Sequence, residues 1–453
     1  MRVLIFHGYL LRGTGSNVYN ASLARALARL GHDVHLLCQD REAPDLAAGT
    51  DGSVTVHNPD IGGLLPVYVK DPYEGFEVKT FPDLSDEELD RYIEANVTAV
   101  REVAERVGGI DLALANHLVM GPAILARAEV APFAAKIHGS ALEYTVKPHP
   151  RFLPYAREGM EAARGVLIGS AHTAESLWAT LDDLPDLPEK TRLGPPGVDV
   201  EEFSPRGERE DLVAFVGKLI VSKGVDLLLA AWPLVRAEHP RARLEVAGYG
   251  AYEAGLRRLL AALEQGDLDG AREVARLGWG LEGGEERPLP IVSAFLADPP
   301  DGYAEAARAA AGSVELIGRL EHSEVATFFG RAQAMVMTST FPEAFGMVAV
   351  EAAACGSLPI SAGHSGMLEV SRQLQADLPA EVGALTSFPV AEGAVEAIAA
   401  RLDAWMALPE AERENVRSRL VETVGRLWSW EGVARGVLAA AVGELEDLPR
   451  PGS

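Results

Sequence analysis

Two glutamates in an otherwise small and apolar stretch are the residues whose spacing most clearly predicts chemistry. Glu343 and Glu351 lie eight positions apart in "FPEAFGMVAVEAAACG", residues 341–356. Buried carboxylates persist only where they are paired or hydrogen-bonded, and a polyhydroxyl ligand supplies such partners. The alternative is that Glu343 is a helix-start residue favoured by the helix dipole and that Glu351 is exposed. Because the neighbours of Glu351 in sequence are apolar on all sides, the pattern favours burial.

Cationic and glycine-rich turns offer a second kind of chemistry, the binding of phosphate. Lys218 and Lys223 in "GKLIVSKG" follow a predicted strand and precede a predicted helix. Two ammonium groups near a helix N-terminus would bind a diphosphate, and two solvated loop lysines are the equally weighted alternative. Gly15, in the "GTGS" turn after the first strand, would let the backbone approach a phosphate. A plain tight turn explains that pattern as well.

His138 ends the apolar run "FAAKIHGS" and is followed by a glycine. A histidine at the carboxyl end of a strand suits a sugar hydroxyl or a reacting carbon, since ligands of parallel sheets bind beyond that edge. A structural histidine with satisfied hydrogen bonds is the more common interpretation of a lone histidine.

The sequence pattern around these residues predicts parallel α/β structure. "RVLIF" is followed by a glycine turn, by leucines at helical spacing and then by the strand "DVHLLC". Strand, helix and strand in this order predict a parallel sheet with helices on its faces. The alternation restarts at "LVAFVGKL", after the stretch around Pro195 and Pro196. We therefore expect two doubly wound domains facing each other across a cleft.

Composition excludes several classes of function. The 453 residues carry a formal net charge of −25, so the chain has no global attraction for nucleic acid or an anionic membrane. Its two cysteines, Cys38 and Cys355, argue against a disulfide framework and a zinc cluster. The N-terminal apolar run is too short for a signal peptide, and no run of about 18 apolar residues predicts a membrane span. A cytoplasmic location is therefore expected.

Together these motifs resemble the retaining glycosyltransferases of family 4, which have the GT-B fold of two Rossmann-like domains. The glutamate pair, "VGKLIVSKGVDLLLAA", "PPGVDVEEF", "GHDVHLL" and "WSWEGVA" carry the likeness. The resemblance implies an acceptor-side domain over 1–195, to which a last helix over 427–453 returns. It implies a nucleotide-sugar domain over 196–426 with an unusually long insertion at 251–313. That insertion could cover the cleft, bind the acceptor or form an oligomer contact, and the sequence leaves these three open.

The resemblance also implies roles for the residues identified above. Glu351 would bind the donor ribose, Glu343 would lie by the donor sugar, and His138 would lie near its anomeric carbon. Lys218 and Lys223 would hold the diphosphate, although the family usually has arginine in place of Lys218 and lysine lacks the bidentate fork. The other residues expected to line the donor site are Gly15, Phe345, Gly346 and Gly366.

The implied reaction is transfer of a hexose from a UDP- or GDP-sugar to an acceptor hydroxyl with retained anomeric configuration. No cofactor or metal is expected, because the D-x-D triplet at Asp267–Asp269 lies in the insertion among helix formers. Two alternatives are a nucleotide-sugar 2-epimerase of the same fold and a non-catalytic sugar-nucleotide-binding protein. The acceptor is not defined by the sequence. The acidic stretch at 70–92 favours a soluble acceptor over an anionic lipid.

Overall fold

The computed structural model describes residues 1–12, 15–69, 73 and 75–452, and the chain divides into two compact units. Unit 1 comprises Met1–Gly197 and Trp428–Ser453, and unit 2 comprises Val198–Leu427. From the sequence, the first boundary was expected at 195 and the second at 426. Gly13 and Thr14 of the "GTGS" turn lie outside the described residues, as do four residues of the acidic stretch, 70–72 and 74.

Unit 1 is built on a seven-stranded parallel sheet with the strand order β3-β2-β1-β6-β7-β8-β9, and β4 and β5 form a separate parallel pair. Its strands are β1 Arg2–Phe6, β2 Asp33–Leu37, β3 Ser53–His57, β4 Leu64–Val67, β5 Glu77–Thr80, β6 Leu112–Asn116, β7 Phe133–Ile137, β8 Gly165–Ile168 and β9 Thr191–Leu193. Its helices before the boundary are α1 Gly15–Arg29, α2 Asp86–Arg106, α3 Gly121–Ala128, α4 Leu153–Ala162, α5 Ala171–Thr180 and α6 Leu187–Lys190.

Unit 2 has a six-stranded parallel sheet with the strand order β12-β11-β10-β13-β14-β15. Its strands are β10 Leu212–Val216, β11 Arg243–Ala247, β12 Val314–Gly318, β13 Ala334–Met337, β14 Leu358–Ala362 and β15 Ser387–Phe388. Its helices are α7 Val225–Glu238, α8 Glu253–Gln265, α9 Leu268–Leu277, α10 Pro290–Ala297, α11 Tyr303–Ala309, α12 His322–Arg331, α13 Met347–Ala354, α14 Ser365–Gln375, α15 Ala380–Gly383, α16 Ala394–Met406 and α17 Glu410–Leu427.

The central strands of both sheets are buried on both faces, as parallel strands covered by helices must be. Every residue of β6, β7 and β14 is buried. The predicted doubly wound α/β architecture is therefore confirmed. In each sheet the strand order reverses direction at one place, between β1 and β6 in unit 1 and between β10 and β13 in unit 2. Ligands of such sheets bind at these switch points, beyond the carboxyl ends of the strands.

Two helix boundaries differ from the sequence expectation. The last helix, α18, spans Trp430–Val442 and not 427–453, because Leu427 ends α17 and Ser429 caps the new helix by accepting from the backbone N–H of Gly432. The helix that carries Glu351, which the apolar sequence predicts from about Ala344, begins three residues later, at Met347. The insertion is largely helical and contains α8 to α11.

Helix α18 packs within unit 1, in the cluster that also holds β1, β2 and α1. The Trp430 ring meets the Tyr19 ring edge-on at 5.4 Å. It also lies so close to Gly197 that a β-carbon there would come within 2.7 Å of the indole. Within the described residues, no helix is both long enough and apolar enough to cross a bilayer.

Candidate functional site

The switch point of unit 2 brings Lys223 and Glu343 together. Lys223 ends a 3₁₀ turn, Val221–Lys223, that follows β10, and Glu343 lies in the loop after β13. The Lys223 ammonium donates to Glu343 Oε1, and the two side chains are 25% and 26% exposed. Ser339 Oγ donates to the same carboxylate oxygen at 2.8 Å. Lys223 is therefore a paired, half-buried cation and not a solvated loop lysine, whereas Lys218 is exposed in the loop after β10.

The backbone of Glu343 is fixed by the start of α14. The Glu343 N–H donates to Ser365 Oγ at 3.0 Å, and the Gly366 N–H donates to the Glu343 carbonyl at 3.0 Å. A β-carbon at Gly366 would lie 2.7 Å from the carbonyl carbon and oxygen of Ala344, so only glycine allows this close approach. Gly366 was expected to line the donor site. Its N–H donates to the Glu343 backbone carbonyl, and it therefore helps to position the residue that carries the carboxylate.

Glu351 lies in α13 and is 6% exposed, which confirms the burial predicted from its apolar neighbours. Its Oε1 accepts from His322 Nε2 at 3.4 Å, and His322 Nδ1 lies 3.6 Å from a carboxylate oxygen of Glu202. Burial opposes the charged imidazole, but the hydrogen bonds to Glu202 and Glu351 outweigh it and raise the pKa of His322 to about 10. His322 is thus an imidazolium held between two carboxylates at neutral pH.

Glu351 was identified from the sequence, but its partners were not. Glu202 and His322 are 120 residues apart along the chain, and nothing in their local sequence predicts that they meet. Phe345 and Gly346 precede α13, with Phe345 half-buried and Gly346 buried. A β-carbon at Gly346 would make only ordinary contacts, the nearest at 3.8 Å, so no steric requirement for glycine exists there.

The switch point of unit 1 carries histidines at the ends of neighbouring strands. His7 follows β1, His117 follows β6 and His138 follows β7. The ring centroids of His117 and His138 are 4.9 Å apart, and those of His7 and His117 are 6.0 Å apart. The lone His138 of the sequence is thus one member of a cluster, because a parallel sheet aligns the carboxyl ends of its strands.

Asparagine side chains fix the orientation of these rings. Asn116 Oδ1 lies 2.8 Å from His138 Nε2 and accepts from Asn20 Nδ2 at 3.1 Å. Asn20 Nδ2 also lies 3.0 Å from His7 Nδ1. Since an amide oxygen can only accept, His138 Nε2 must carry a proton, which leaves Nδ1 of the neutral ring as its acceptor. The network therefore fixes the tautomer of His138.

Burial keeps the imidazoles of this cluster uncharged. Burial, reinforced by His117 and Lys136, holds the pKa of His138 well below its usual range. Burial, reinforced by His7, does the same for the pKa of His117, whose side chain has no hydrogen-bond partner among the described residues. His117 also has a φ of 69°, a left-handed conformation that is uncommon for a non-glycine residue. Neutral rings of this kind suit hydroxyl groups better than phosphates.

Gly15 is the first residue of α1 and is exposed. A β-carbon there would meet no atom within 4 Å, so the surrounding structure does not require glycine. Asn17 and Asn20, two and five residues further on, make the side-chain hydrogen-bond contacts of α1 with the histidine cluster: Asn17 Oδ1 lies 2.9 Å from His7 Nε2. Neither asparagine was identified from the sequence, where only the leucines of this helix show a pattern.

The D-x-D triplet has a structural explanation. The Asp267 side chain caps α9 by accepting from the Gly270 N–H at 2.9 Å, and Asp269 pairs with Arg272 at 2.7 Å. Across the described ranges, no group of three or more histidine, cysteine, aspartate or glutamate side chains is arranged to hold a metal ion.

Two family profiles match the chain. The profile described as Glycosyl transferases group 1 matches residues 199–267 and 304–422, and the profile described as Glycosyltransferase Family 4 matches residues 13–202. The first profile leaves residues 268–303 unmatched between its two segments. This unmatched segment is shorter than the insertion of 251–313 inferred from the sequence. The residues outside the family match thus comprise α9, α10 and their flanking loops.

Curated relatives and solved structures agree with the profiles. The D-inositol 3-phosphate glycosyltransferase of Geodermatophilus obscurus is 27% identical over 378 residues, 78% of this chain and 71% of the relative. The enzyme of the same name from Frankia alni is 28% identical over 452 residues, 94% of this chain and 93% of the relative.

Among solved structures, Anabaena Alr3699/HepE in complex with UDP and glucose has a TM-score of 0.60 at 15% identity, over 99% of this chain and 100% of its own. A glycosyltransferase from Rickettsia africae has a TM-score of 0.62 at 15% identity, over 98% and 99%. These structural likenesses show a shared fold.

Proposed function

Because the chain belongs to glycosyltransferase family 4 and has the GT-B fold, we propose that it transfers a hexose from a nucleoside-diphosphate sugar to an acceptor hydroxyl with retained anomeric configuration. The observation that carries the proposal is the Lys223–Glu343 pair at the switch point of unit 2. A cation for a diphosphate and a carboxylate for sugar hydroxyls meet there, at the edge where sheets of this type bind nucleotides.

The chemistry asked of these residues follows from the charge that develops as a glycosidic bond breaks. Negative charge grows on the leaving diphosphate, and a fixed cation next to it lowers the barrier. Lys223 is held in place before the donor arrives, since Glu343 pairs with it and Ser339 holds Glu343. In this proposal the diphosphate shares the Lys223 ammonium with Glu343, and Glu351 accepts from the donor ribose hydroxyls.

Retention is supported by the groups around His138. Within the part of the chain that the structure describes, the side chains in hydrogen-bond or ring contact with His138 are Asn116, His117 and Tyr19, and none of these is a carboxylate. A glycosyl-enzyme would need a carboxylate nucleophile on the far face of the sugar. We therefore propose front-face attack by the acceptor, assisted by the leaving phosphate.

The acceptor proposed first is a small soluble polyol. The curated relatives named above are D-inositol 3-phosphate glycosyltransferases, so D-inositol 3-phosphate is the first acceptor to test. The neutral histidine cluster of unit 1 supports recognition of hydroxyl groups. We further propose that turnover needs no divalent metal, since the Lys223 ammonium would neutralise charge on the diphosphate.

The test is a matrix of donors and acceptors. UDP-glucose, UDP-N-acetylglucosamine and GDP-mannose are each incubated with the protein, with and without D-inositol 3-phosphate, and the released nucleoside diphosphate is followed. The expected result is release that depends on acceptor, with an α-linked product by NMR. Epimerised donor without an acceptor would favour the 2-epimerase, and tight binding without turnover would favour a binding protein. A β-linked product would refute retention.

A further inference from the structure

The residues that the family profile does not match, 268–303, contact the turn that carries Lys223. Glu282 lies in this segment, and its Oε2 accepts from the Val221 N–H at 2.5 Å. The two residues are 61 positions apart along the chain. Val221 is the first residue of the 3₁₀ turn that ends at Lys223. A segment outside the family-profile match thus supports the backbone next to the proposed diphosphate-binding cation.

The Glu282 carboxylate supplies a hydrogen-bond acceptor for the first N–H of the turn. Ile220 precedes the turn and makes no side-chain capping bond, so the first N–H of the turn has no local acceptor. A carboxylate at this position satisfies that N–H and interacts favourably with the positive end of the turn and of α7 behind it. Glu282 therefore caps the turn from a distant part of the sequence.

The other sides of the same turn are held by the loop after β13 and by the loop after β11. Thr338 Oγ1 donates to the Lys223 carbonyl at 2.8 Å, and the Thr340 N–H donates to the Ser222 carbonyl at 2.8 Å. Before the turn, the Leu219 N–H donates to the Tyr249 carbonyl at 2.8 Å. Glu282 completes this set of supports at the N-terminal end of the turn.

The segment that holds Glu282 is itself well anchored. Glu282 ends a 3₁₀ turn, Trp279–Glu282, after α9. The Trp279 N–H donates to the Arg287 carbonyl at 3.0 Å, and the Arg287 guanidinium lies over the Trp279 ring at 4.4 Å. Leu281, in the same turn, packs against Gly255 of α8. A β-carbon added at Gly255 would lie 3.1 Å from the β-carbon of Leu281. The carboxylate is therefore presented from a defined structure.

We propose that Glu282 is a positioning residue for donor binding: it fixes the Val221–Lys223 turn, and through it the Lys223 ammonium, for the donor diphosphate. The proposal rests on the proposed function of this site. It gives the unmatched segment, 268–303, a role within unit 2. The sequence had left three roles possible for the insertion: covering the cleft, binding the acceptor and forming an oligomer contact.

The experiment compares Glu282→Ala, Glu282→Gln and Glu286→Ala in the full-length protein. Glu286 is a matched control, because it is a glutamate of the same segment that pairs with Arg276 at 3.2 Å and not with the turn. Binding of UDP and GDP is measured by calorimetry, and hydrogen exchange is followed in a peptide over 217–226. For the alanine variant we expect faster exchange and nucleoside-diphosphate binding weakened about fivefold, the worth of one capping bond. Glu282→Gln keeps an acceptor oxygen and should stay within about twofold of wild type.

A second variant removes the same contact from the other side. Val221→Pro deletes the donating N–H at the first position of a turn, where proline is tolerated, and Ile220 already has the extended φ of −125° that a following proline requires. Combined with Glu282→Ala, it should weaken binding no further than either change alone. Additive losses would overturn the proposal, because they would mean that the two groups act independently.

The outcomes separate this inference from the proposed function. If the wild-type protein binds neither UDP nor GDP, the proposed function fails and the role in donor binding fails with it. If wild type binds and Glu282→Ala binds equally well with unchanged exchange over 217–226, the positioning role alone is refuted. Equal losses in Glu282→Ala and Glu286→Ala would also refute it, since they would reflect a general disturbance of the segment.

Discussion

Replacing Lys223 by alanine is the perturbation that tests the proposed site most directly. If Lys223 stabilises the leaving diphosphate more strongly in the transition state than in the bound donor, its loss must lower kcat and not only raise KM. Loss of one preorganised group of this kind costs about 10²–10³-fold in kcat, equivalent to roughly 2.7–4 kcal/mol. Binding of free nucleoside diphosphate should weaken as well, because the ground state also contacts the ammonium.

The ion pair with Glu343 adds a stability term to this prediction. The two side chains are about one quarter exposed, between a surface pair and a fully buried one. Surface pairs contribute about 0–1 kcal/mol, and breaking a buried pair costs about 3–5 kcal/mol, so we expect a loss of about 1–2 kcal/mol. For a unit of this size that loss lowers Tm by a few degrees. Unfolding followed by circular dichroism would measure it alongside the steady-state kinetics.

Arg331→Ala is the matched control for the stability term. Arg331 pairs with Glu210 at 2.5 Å, with side chains 35% and 36% exposed, within the same unit. Arg331 ends α12 and Glu210 precedes β10, so the pair lies at the amino ends of the strands, opposite the proposed site. We expect a similar loss of stability with unchanged kcat. If Lys223→Ala keeps kcat within about threefold of wild type with the best donor, the diphosphate assignment is refuted.

Three further predictions concern packing, pH and metal. Gly366→Ala should lower Tm and weaken nucleoside-diphosphate binding, since its β-carbon would lie 2.7 Å from the Ala344 carbonyl; Gly15→Ala, with no atom within 4 Å, should leave Tm unchanged. The pKa of His322 is raised to about 10, so its pair with Glu351 stabilises fully below pH 6.5 and is lost as pH rises through 10. The Tm advantage of wild type over His322→Gln should therefore shrink over that range, and a constant difference would contradict the pairing. Turnover should persist in EDTA; complete loss restored by Mn²⁺ would exclude the metal-independent mechanism.

Much of the fold could be predicted from local sequence. Apolar runs followed by glycines and by leucines at helical spacing are enough to indicate parallel α/β structure, because the two periods, 2 and 3.6, are properties of the backbone itself. The position of His138 just after a strand, and the burial of Glu351, followed from the same patterns. Helix ends were less accurate, as at Met347 and Trp430, since caps depend on single contacts.

The sequence by itself determined which residue types lie at the ends of which strands, because local sequence patterns determine the order of strands, loops and helices along the chain. Only the tertiary structure decided which of those ends are neighbours. Lys223 and Glu343 are 120 positions apart, and Asn20 and Asn116 are 96 apart, yet each pair shares hydrogen bonds. The order of the strands in each sheet determines which of these residues are neighbours. That order results from packing the helices onto the two faces of the sheet, and no local sequence pattern encodes it. The support of the Val221 turn by Glu282 depends on the same long-range packing.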